Sequence, residues 1–509
     1  MEDKKYDLVI QEEFLFIKSP KNSKELFSRI VESSEDNYFL PLTQLTKNIK
    51  SFLVNWKTDE FYDYVNNNRQ LIFIEYNSLE TILDFYMVEK EVSGPIFKIE
   101  SLFQKGSNKS FKSLKNWLHN NFFPERIILP QNYLNNEFLN SIGSSLILTA
   151  GPSIGTREKV YNMDAVSNGW NSQWSKYLNE FESKFAEYVG VKYAIATSSC
   201  TGALHISLLA LGIKEGDEVI VPDITWVSTA NAVLLVGATP VFADVNEKTW
   251  TLDPLSIENK ITNKTKAIIP VHLYGHPCKM DEILKISKKH NLKVIEDAAP
   301  SIGAEYKGQK TGSFGDFAAF SFQGAKLLVT GEGGMLCTNS EELYKRAYKI
   351  WDQGRIPGSF WIEELGVKYK MSNIQAALGL GQLYRNDLMV SAKRRINSWY
   401  FERLKDIKQI DFWQEGTDVK SICWMTSIRL NKKSNLDRTT FCKKLKEFNI
   451  DSRPVFPSIS QYPYWPKKQE QQTQSKLIAD SGINLPSGVC LLKEEIDYIC
   501  DKIILILTE

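Results

Sequence analysis

From residue 151 onward, short apolar runs alternate with amphipathic helical patterns at the spacing of βα units. This alternation is the strongest constraint on the fold. Parallel neighbours need a long crossover, and a helix is the usual one. The chain therefore predicts a mostly parallel sheet with helices on both faces. Ligands gather at the carboxyl ends of strands in such sheets. Residues that follow each strand are thus the first place to look for chemistry.

Two segments carry it. In KVIED, residues 293–297, Val294 and Ile295 read as the end of a buried strand, with Asp297 at its carboxyl end. In the run 313–335, SFGDFAAFSFQGAKLLVTGEGGM, Lys326 stands alone among small and apolar residues between two glycine clusters. A lysine there loses hydration, so its pKa falls and its neutral amine can attack a carbonyl. The glycines let backbone approach a bound group closely. A carboxylate at the strand end can hold the pyridine nitrogen of pyridoxal phosphate (PLP) protonated, which makes that ring an electron sink. Lysine and aspartate together point to a Schiff-base site.

A third element is a cradle for the phosphate. Tyr193–Thr197 reads as a strand, residues 198–202 (SSCTG) as a tight turn, and 203–211 as a helix with Leu204, Leu208 and Leu211 on one face. Such a unit aims free backbone N–H groups and the positive helix end at an anion. Thr201 adds a hydroxyl donor, and Ser321 offers another. Trp226 follows a further strand, 218–221, and supplies a flat face, which suits a core tryptophan equally well.

Seven segments, in order, carry a resemblance. They are GPSIG (151–155), ATSSCTGALH (196–205), IPVHLYGH (269–276), EDAA (296–299), SFQGAK (321–326), TGEGG (330–334) and YKMSNIQAALG (369–379). From about residue 151 to the C-terminus the chain resembles the DegT/DnrJ/EryC1/StrS sugar aminotransferases, within them the 4-keto-6-deoxysugar enzymes of perosamine and viosamine synthase type. The resemblance implies the fold-type-I PLP transferase fold. It makes 151–390 the large PLP-binding domain and 391–509 a small α/β domain.

It also implies roles. Lys326 is the Schiff-base lysine and proton shuttle, Asp297 the partner of the pyridinium nitrogen, Trp226 the stacking ring, and Thr201 and Ser321 phosphate ligands. Cys200 joins the phosphate turn where glycine or alanine is frequent. Pro300 replaces the Gln or His that often approaches the ring hydroxyl. Lys368 stands where many members carry an Asn that reaches a neighbouring subunit's phosphate, and Arg453 falls in the segment placed beside the sugar nucleotide. A homodimer is expected. The implied reaction moves an amino group from glutamate to a nucleotide-linked 4-keto-6-deoxysugar, for surface polysaccharide such as O-antigen. Amination at C3, or a PLP-fold sensor or scaffold, are the alternatives. Relatives that act as dehydratases carry histidine in place of this lysine.

Composition narrows the class further. Lys and Arg total 62 against 61 Asp and Glu, a net charge of +1, so no global field draws in nucleic acid or an anionic membrane. The 7 cysteines are scattered with no Cys-x-x-Cys pair, which argues for reduced thiols rather than disulfides or zinc. His272 and His276 are four apart, but the proline and glycine around them make a shared helical face, and hence a metal pair, a poor reading. The charged start lacks an apolar core and no run reaches the roughly 20 residues of a membrane span. A soluble, cytoplasmic enzyme is expected.

Residues 1–145 differ: rich in Asn, Phe, Tyr and Lys and poor in glycine. Apolar pieces at 8–10, 71–75, 96–99 and 126–129, with a helical pattern at 110–120, predict a small α/β domain. It joins the rest through 141–145. No acetyl-CoA loop, hexapeptide repeat or P-loop occurs in it, and its role is not legible.

Overall fold

The computed structural model describes residues 142–508 except 467–469 and, in the N-terminal stretch, the backbone of six strands. The chain divides into two compact units, Met1–Ser141 with Gly155–Arg157, and Ile142–Ile154 with Glu158–Glu509. In the first, β1 (Asp7–Gln11), β2 (Phe14–Lys18), β3 (Gln70–Glu75), β4 (Asp84–Lys90), β5 (Ile96–Leu102) and β6 (Arg126–Ile128) form one sheet in chain order. Neighbours are antiparallel except β5 and β6. The helix expected at 110–120 lies outside the described residues.

The second unit holds a seven-stranded sheet. Its strands are β7 (Tyr193–Thr197), β8 (Glu218–Pro222), β9 (Thr239–Ala243), β10 (Thr265–Ile268) and β11 (Lys293–Asp297). After a hairpin of β12 (Glu305–Tyr306) and β13 (Gln309–Lys310) come β14 (Phe317–Ser321) and β15 (Gly334–Thr338). The order is β7-β15-β14-β11-β10-β8-β9. The pairs from β14 through β9 are parallel, and β15 alone runs against both its neighbours.

Strand periodicity explains why both faces are dry. Val219 and Val221 of β8, Ala267 of β10 and Ile295 of β11 enter one apolar core, with Leu204 and Leu208 of the Cys200–Ala210 helix. Their alternates Ile220, Ile268 and Val294 enter a second core with Ile257, Met280 and Ile283. Successive side chains of a strand point to opposite faces, so near-continuous apolar runs require helices on both sides. Each fully buried aliphatic side chain contributes about 1.5–3 kcal/mol.

A smaller antiparallel sheet follows: β16 (Ile410–Phe412), β18 (Ser427–Leu430), β20 (Gly482–Asn484) and β19 (Arg453–Pro454), in that order. The short β17 (Val419–Lys420) pairs instead with β12. Against the smaller sheet pack the Asn386–Leu404 helix and the C-terminal Lys493–Thr508 helix, whose Ile496, Ile499, Cys500, Ile503 and Ile506 make one apolar stripe. Among the described residues no helix is long and apolar enough to cross a membrane, and all seven cysteines are free thiols.

Candidate active site

The sheet's carboxyl ends build a cavity of about 550 Å³. Six of the residues singled out in the sequence for cofactor contact line it, Lys326, Asp297, Trp226, Thr201, Ser321 and Cys200, and so do Arg453 and Pro300. Lys368 does not: it is exposed, in a bridge with Asp352.

Asp297 closes β11 and is 4% exposed. Its Oδ2 accepts from the Thr229 hydroxyl at 2.7 Å and its Oδ1 from the Ala299 N–H at 3.2 Å. Burial pushes its pKa up, while Thr229, the Ala299 amide, Lys326 and His272 pull it down. Its chain neighbour Glu296 points to the opposite face, as strand alternation demands. There it is fully buried and accepts from the N–H groups of Gly312, Phe314 and Gly315 at 2.8, 2.7 and 2.8 Å. His272 Nε2 lies 3.1 Å from Glu296 Oε2, and His272 Nδ1 accepts the Cys278 N–H at 3.0 Å. That backbone donor leaves the ring proton on Nε2, aimed at the carboxylate. Glu296 thereby pins the loop leading into β14, and β14 carries the chain to Lys326.

Lys326 follows a turn in which its N–H donates to Gln323 O at 2.8 Å and Gly324 N–H to Gly331 O at 2.9 Å. Desolvation lowers its pKa, and the nearby Asp297 and Cys200 oppose that shift. Among the described residues no hydrogen-bond partner reaches its Nζ; the amine lies 4.0 Å from the centroid of the Trp424 indole.

The anion cradle differs in detail from its sequence expectation. The segment 198–202 is no free turn: the helix starts at Cys200, because Ser199 Oγ caps the Gly202 N–H at 3.0 Å. Cys200 and Thr201 thus occupy the first turn, where backbone N–H groups have no partner within the helix. Their thiol and hydroxyl line the cavity beside those amides. Burial raises the Cys200 thiol well above its ordinary pKa, and Asp297 adds to the effect. Gly334 of β15 makes the close approach possible: a Cβ there would lie 2.6 Å from Cys200 N.

An aromatic wall completes the cavity. Tyr274 stacks on Phe456 at 5.4 Å and faces Trp424 at 6.0 Å, while Trp226, 58% exposed, tilts against Phe456 at 5.9 Å. Tyr274 takes a left-handed backbone, φ 52°. Its hydroxyl oxygen accepts from the Phe456 N–H at 2.9 Å and from Asn484 at 3.3 Å. The strap bearing Phe456 is tied to the sheet by Asp223, the residue after β8. Its buried carboxylate accepts from the Ser458 and Ser460 hydroxyls at 2.6 and 3.0 Å. It also takes the Ser460 and Gln472 N–H groups at 2.7 and 3.1 Å. Sequence reasoning missed Thr229, Tyr274, Trp424, Phe456 and Asp223. The segments holding Asp223, Thr229, Tyr274 and Phe456 carried a signal, but nothing pointed to Trp424.

A buried acceptor carboxylate, a desolvated primary amine and a helix N-terminus line one cavity. Together they fit a group with a protonatable ring nitrogen, an aldehyde and a phosphate, which is the chemistry of PLP. Comparison with known proteins agrees. The DegT/DnrJ/EryC1/StrS aminotransferase family model matches residues 152–504. The GDP-perosamine synthase of Escherichia coli O157:H7 is 42% identical over 353 residues, 69% of this chain and 96% of that protein. That of Caulobacter vibrioides is 40% identical over 356 residues, with the same coverage. A Streptococcus pneumoniae protein assigned as a sugar aminotransferase, solved in PMP and PLP forms, superposes with TM-scores of 0.68 and 0.67. It is 27% identical and covers 71% of this chain and 98–99% of its own. With the family model matched across most of its length, the chain belongs to the DegT/DnrJ/EryC1/StrS family and is a PLP-dependent aminotransferase.

Proposed function

We propose that this enzyme transfers the amino group of L-glutamate to C4 of a GDP-linked 4-keto-6-deoxysugar, yielding a 4-amino-4,6-dideoxysugar for surface polysaccharide. The carrying observation is the pairing of the Lys326–Asp297 cavity with similarity to GDP-perosamine synthases along 96% of their length. PLP supplies an aldehyde that condenses with amines and a ring that takes up the electron pair left on an adjacent carbon.

The residues divide the work. Lys326 Nζ would hold the aldehyde, and as a free amine it would take up and return the proton at the donor Cα. An amine whose pKa is lowered by burial suits both acid and base duty near neutral pH. Asp297 accepts from the ring N–H, and Thr229 and the Ala299 amide orient the carboxylate for it. The first-turn amides of Cys200 and Thr201, with the Thr201 and Ser321 hydroxyls, hold the phosphate. Trp226 covers the ring face, and Arg453, tied only loosely to Asp451 at 3.7 Å, takes an anionic group of the nucleotide. The test is a coupled assay with GDP-, dTDP- and UDP-linked 4-keto-6-deoxysugars. The GDP substrate is expected to turn over with glutamate; turnover of only the dTDP or UDP sugar would refute the nucleotide assignment.

The strap gives a sharper expectation. Asp223→Ala removes the acceptor that ties Phe456's segment to the sheet. KM for the sugar nucleotide should rise at least about tenfold, with PLP absorbance retained. An unchanged KM would remove the strap from substrate binding.

The same reading includes a homodimer in which Lys368 serves the partner's site. Its support is the loop around it, where Phe360, Trp361 and Leu365 are 97%, 69% and 95% exposed. Apolar surface of this kind favours a protein partner. Light scattering should give twice the 58.3 kDa chain mass, and Phe360→Glu with Leu365→Glu should give the monomer.

A further inference from the structure

The Trp424 indole beneath the Lys326 amine is fixed at three points. Its backbone N–H donates to Tyr274 O at 3.0 Å, and its indole N–H donates to Ala325 O at 2.9 Å. Its carbonyl accepts from Lys393 Nζ at 2.8 Å. Because Ala325 precedes Lys326, the second bond sets the ring against the very backbone that carries the amine.

The third bond is unusual. Lys393 lies in the Asn386–Leu404 helix and is 5% exposed, and its ammonium also donates to Ser487 O. It is given carbonyl oxygens rather than a carboxylate. Burial brings its pKa down to about 7, and the titratable groups acting on it are the Cys423 and Cys490 thiols. A buried lysine spent on two carbonyls, one belonging to the residue under the reactive amine, calls for an explanation beyond packing.

An ammonium over an aromatic face is favoured relative to the neutral amine, since the ring quadrupole attracts positive charge. Charged or titratable groups acting on Lys326 are Asp297 and Cys200, and the cavity also holds Glu332, Arg453 and Tyr274. The Asp297 carboxylate can take the proton from Nζ; an indole face steadies the charge and cannot. Such a surface suits a lysine that must carry a proton briefly and then release it.

We propose that Trp424 is a catalytic residue, the platform on which the Lys326 amine rests whenever it is not covalently engaged, and that Lys393 is the positioning residue that holds this platform. The proposal rests on Lys326 being the lysine that condenses with PLP.

The experiment uses the full chain freed of cofactor. The rate of visible-band formation on adding PLP is followed across a pH series, and its midpoint reports the free Lys326 amine. Trp424→Leu should lower the midpoint by about half a unit to one and a half units. Trp424→Phe should keep most of the wild-type value. Lys393→Met, which touches neither ring nor amine, should shift it in the same direction as Trp424→Leu. If Trp424→Leu fails to fold, Trp424→Phe and Lys393→Met still decide the matter. A wild-type midpoint in folded Lys393→Met and Trp424→Leu would overturn the platform. A visible band in Lys326→Ala would instead overturn the lysine assignment on which it rests.

Discussion

Lys326→Ala, supplied with saturating PLP, should form no visible band and should transaminate at least about 10⁴-fold more slowly than wild type. Two losses coincide in this variant. The covalent anchor goes, and with it the group that carries the proton between the donor Cα and the cofactor. The neighbouring thiol and phenol are poor substitutes: the Cys200 thiol is held protonated by burial and by Asp297, and Tyr274 has its pKa raised by burial. Loss of proton transfer should be partly reversed by small primary amines in solution. Rescue that grows with amine concentration would separate a missing proton carrier from a collapsed site. Undiminished transamination would remove Lys326 from the chemistry.

Asp297→Asn should cost on the order of 10²–10⁴ in kcat, because removing one partner of a buried ion pair costs about 3–5 kcal/mol and each 1.4 kcal/mol is tenfold. An asparagine cannot hold the ring nitrogen protonated. Its effect on stability should have the opposite sign. Burial raises the Asp297 pKa above an unfolded value of about 3.9. A carboxyl raised in this way favours the fold when protonated, and that stability is lost as pH rises through the folded value. The cofactor-free Asp297→Asn protein should therefore melt above cofactor-free wild type at pH 8, and the difference should vanish near pH 4. PLP should reverse the order, since its positive ring nitrogen pairs only with the carboxylate. A variant both inactive and stabilised marks a site held ready for a charge it does not supply. Equal melting temperatures at pH 8 would contradict this picture of Asp297.

Much of the site was legible because its main residues sit where local rules put them. Asp297 ends a strand whose apolar neighbours announce it, and Lys326 is bracketed by glycine turns. The helix start was misplaced for an equally local reason. Small polar residues such as Ser198 and Ser199 favour turns, but Ser199 acts as a cap, so Cys200 and Thr201 became helical. The strand expected at 126–129 ends at Ile128. Strands β2 and β4 of the N-terminal sheet were not anticipated. That the site's rings assemble into one aromatic wall was beyond sequence reasoning. Tyr274, Trp424 and Phe456 come from three distant segments, and Tyr274 reaches its place only through a backbone conformation unusual for tyrosine. Asp223 resembles any carboxylate after a strand until Ser458, Ser460 and Gln472 close on it. Contacts of such separation depend on how the small sheet seats on the large one, which local spacing does not encode.

The most direct test of the central claim is the visible spectrum of the purified protein, read before and after adding glutamate and again after adding the GDP-linked 4-keto-6-deoxysugar. A yellow band that bleaches with glutamate and returns with the sugar would show both halves of the transfer on the Lys326–Asp297 site. A protein that stays colourless when given PLP, or whose band glutamate leaves untouched, would contradict it.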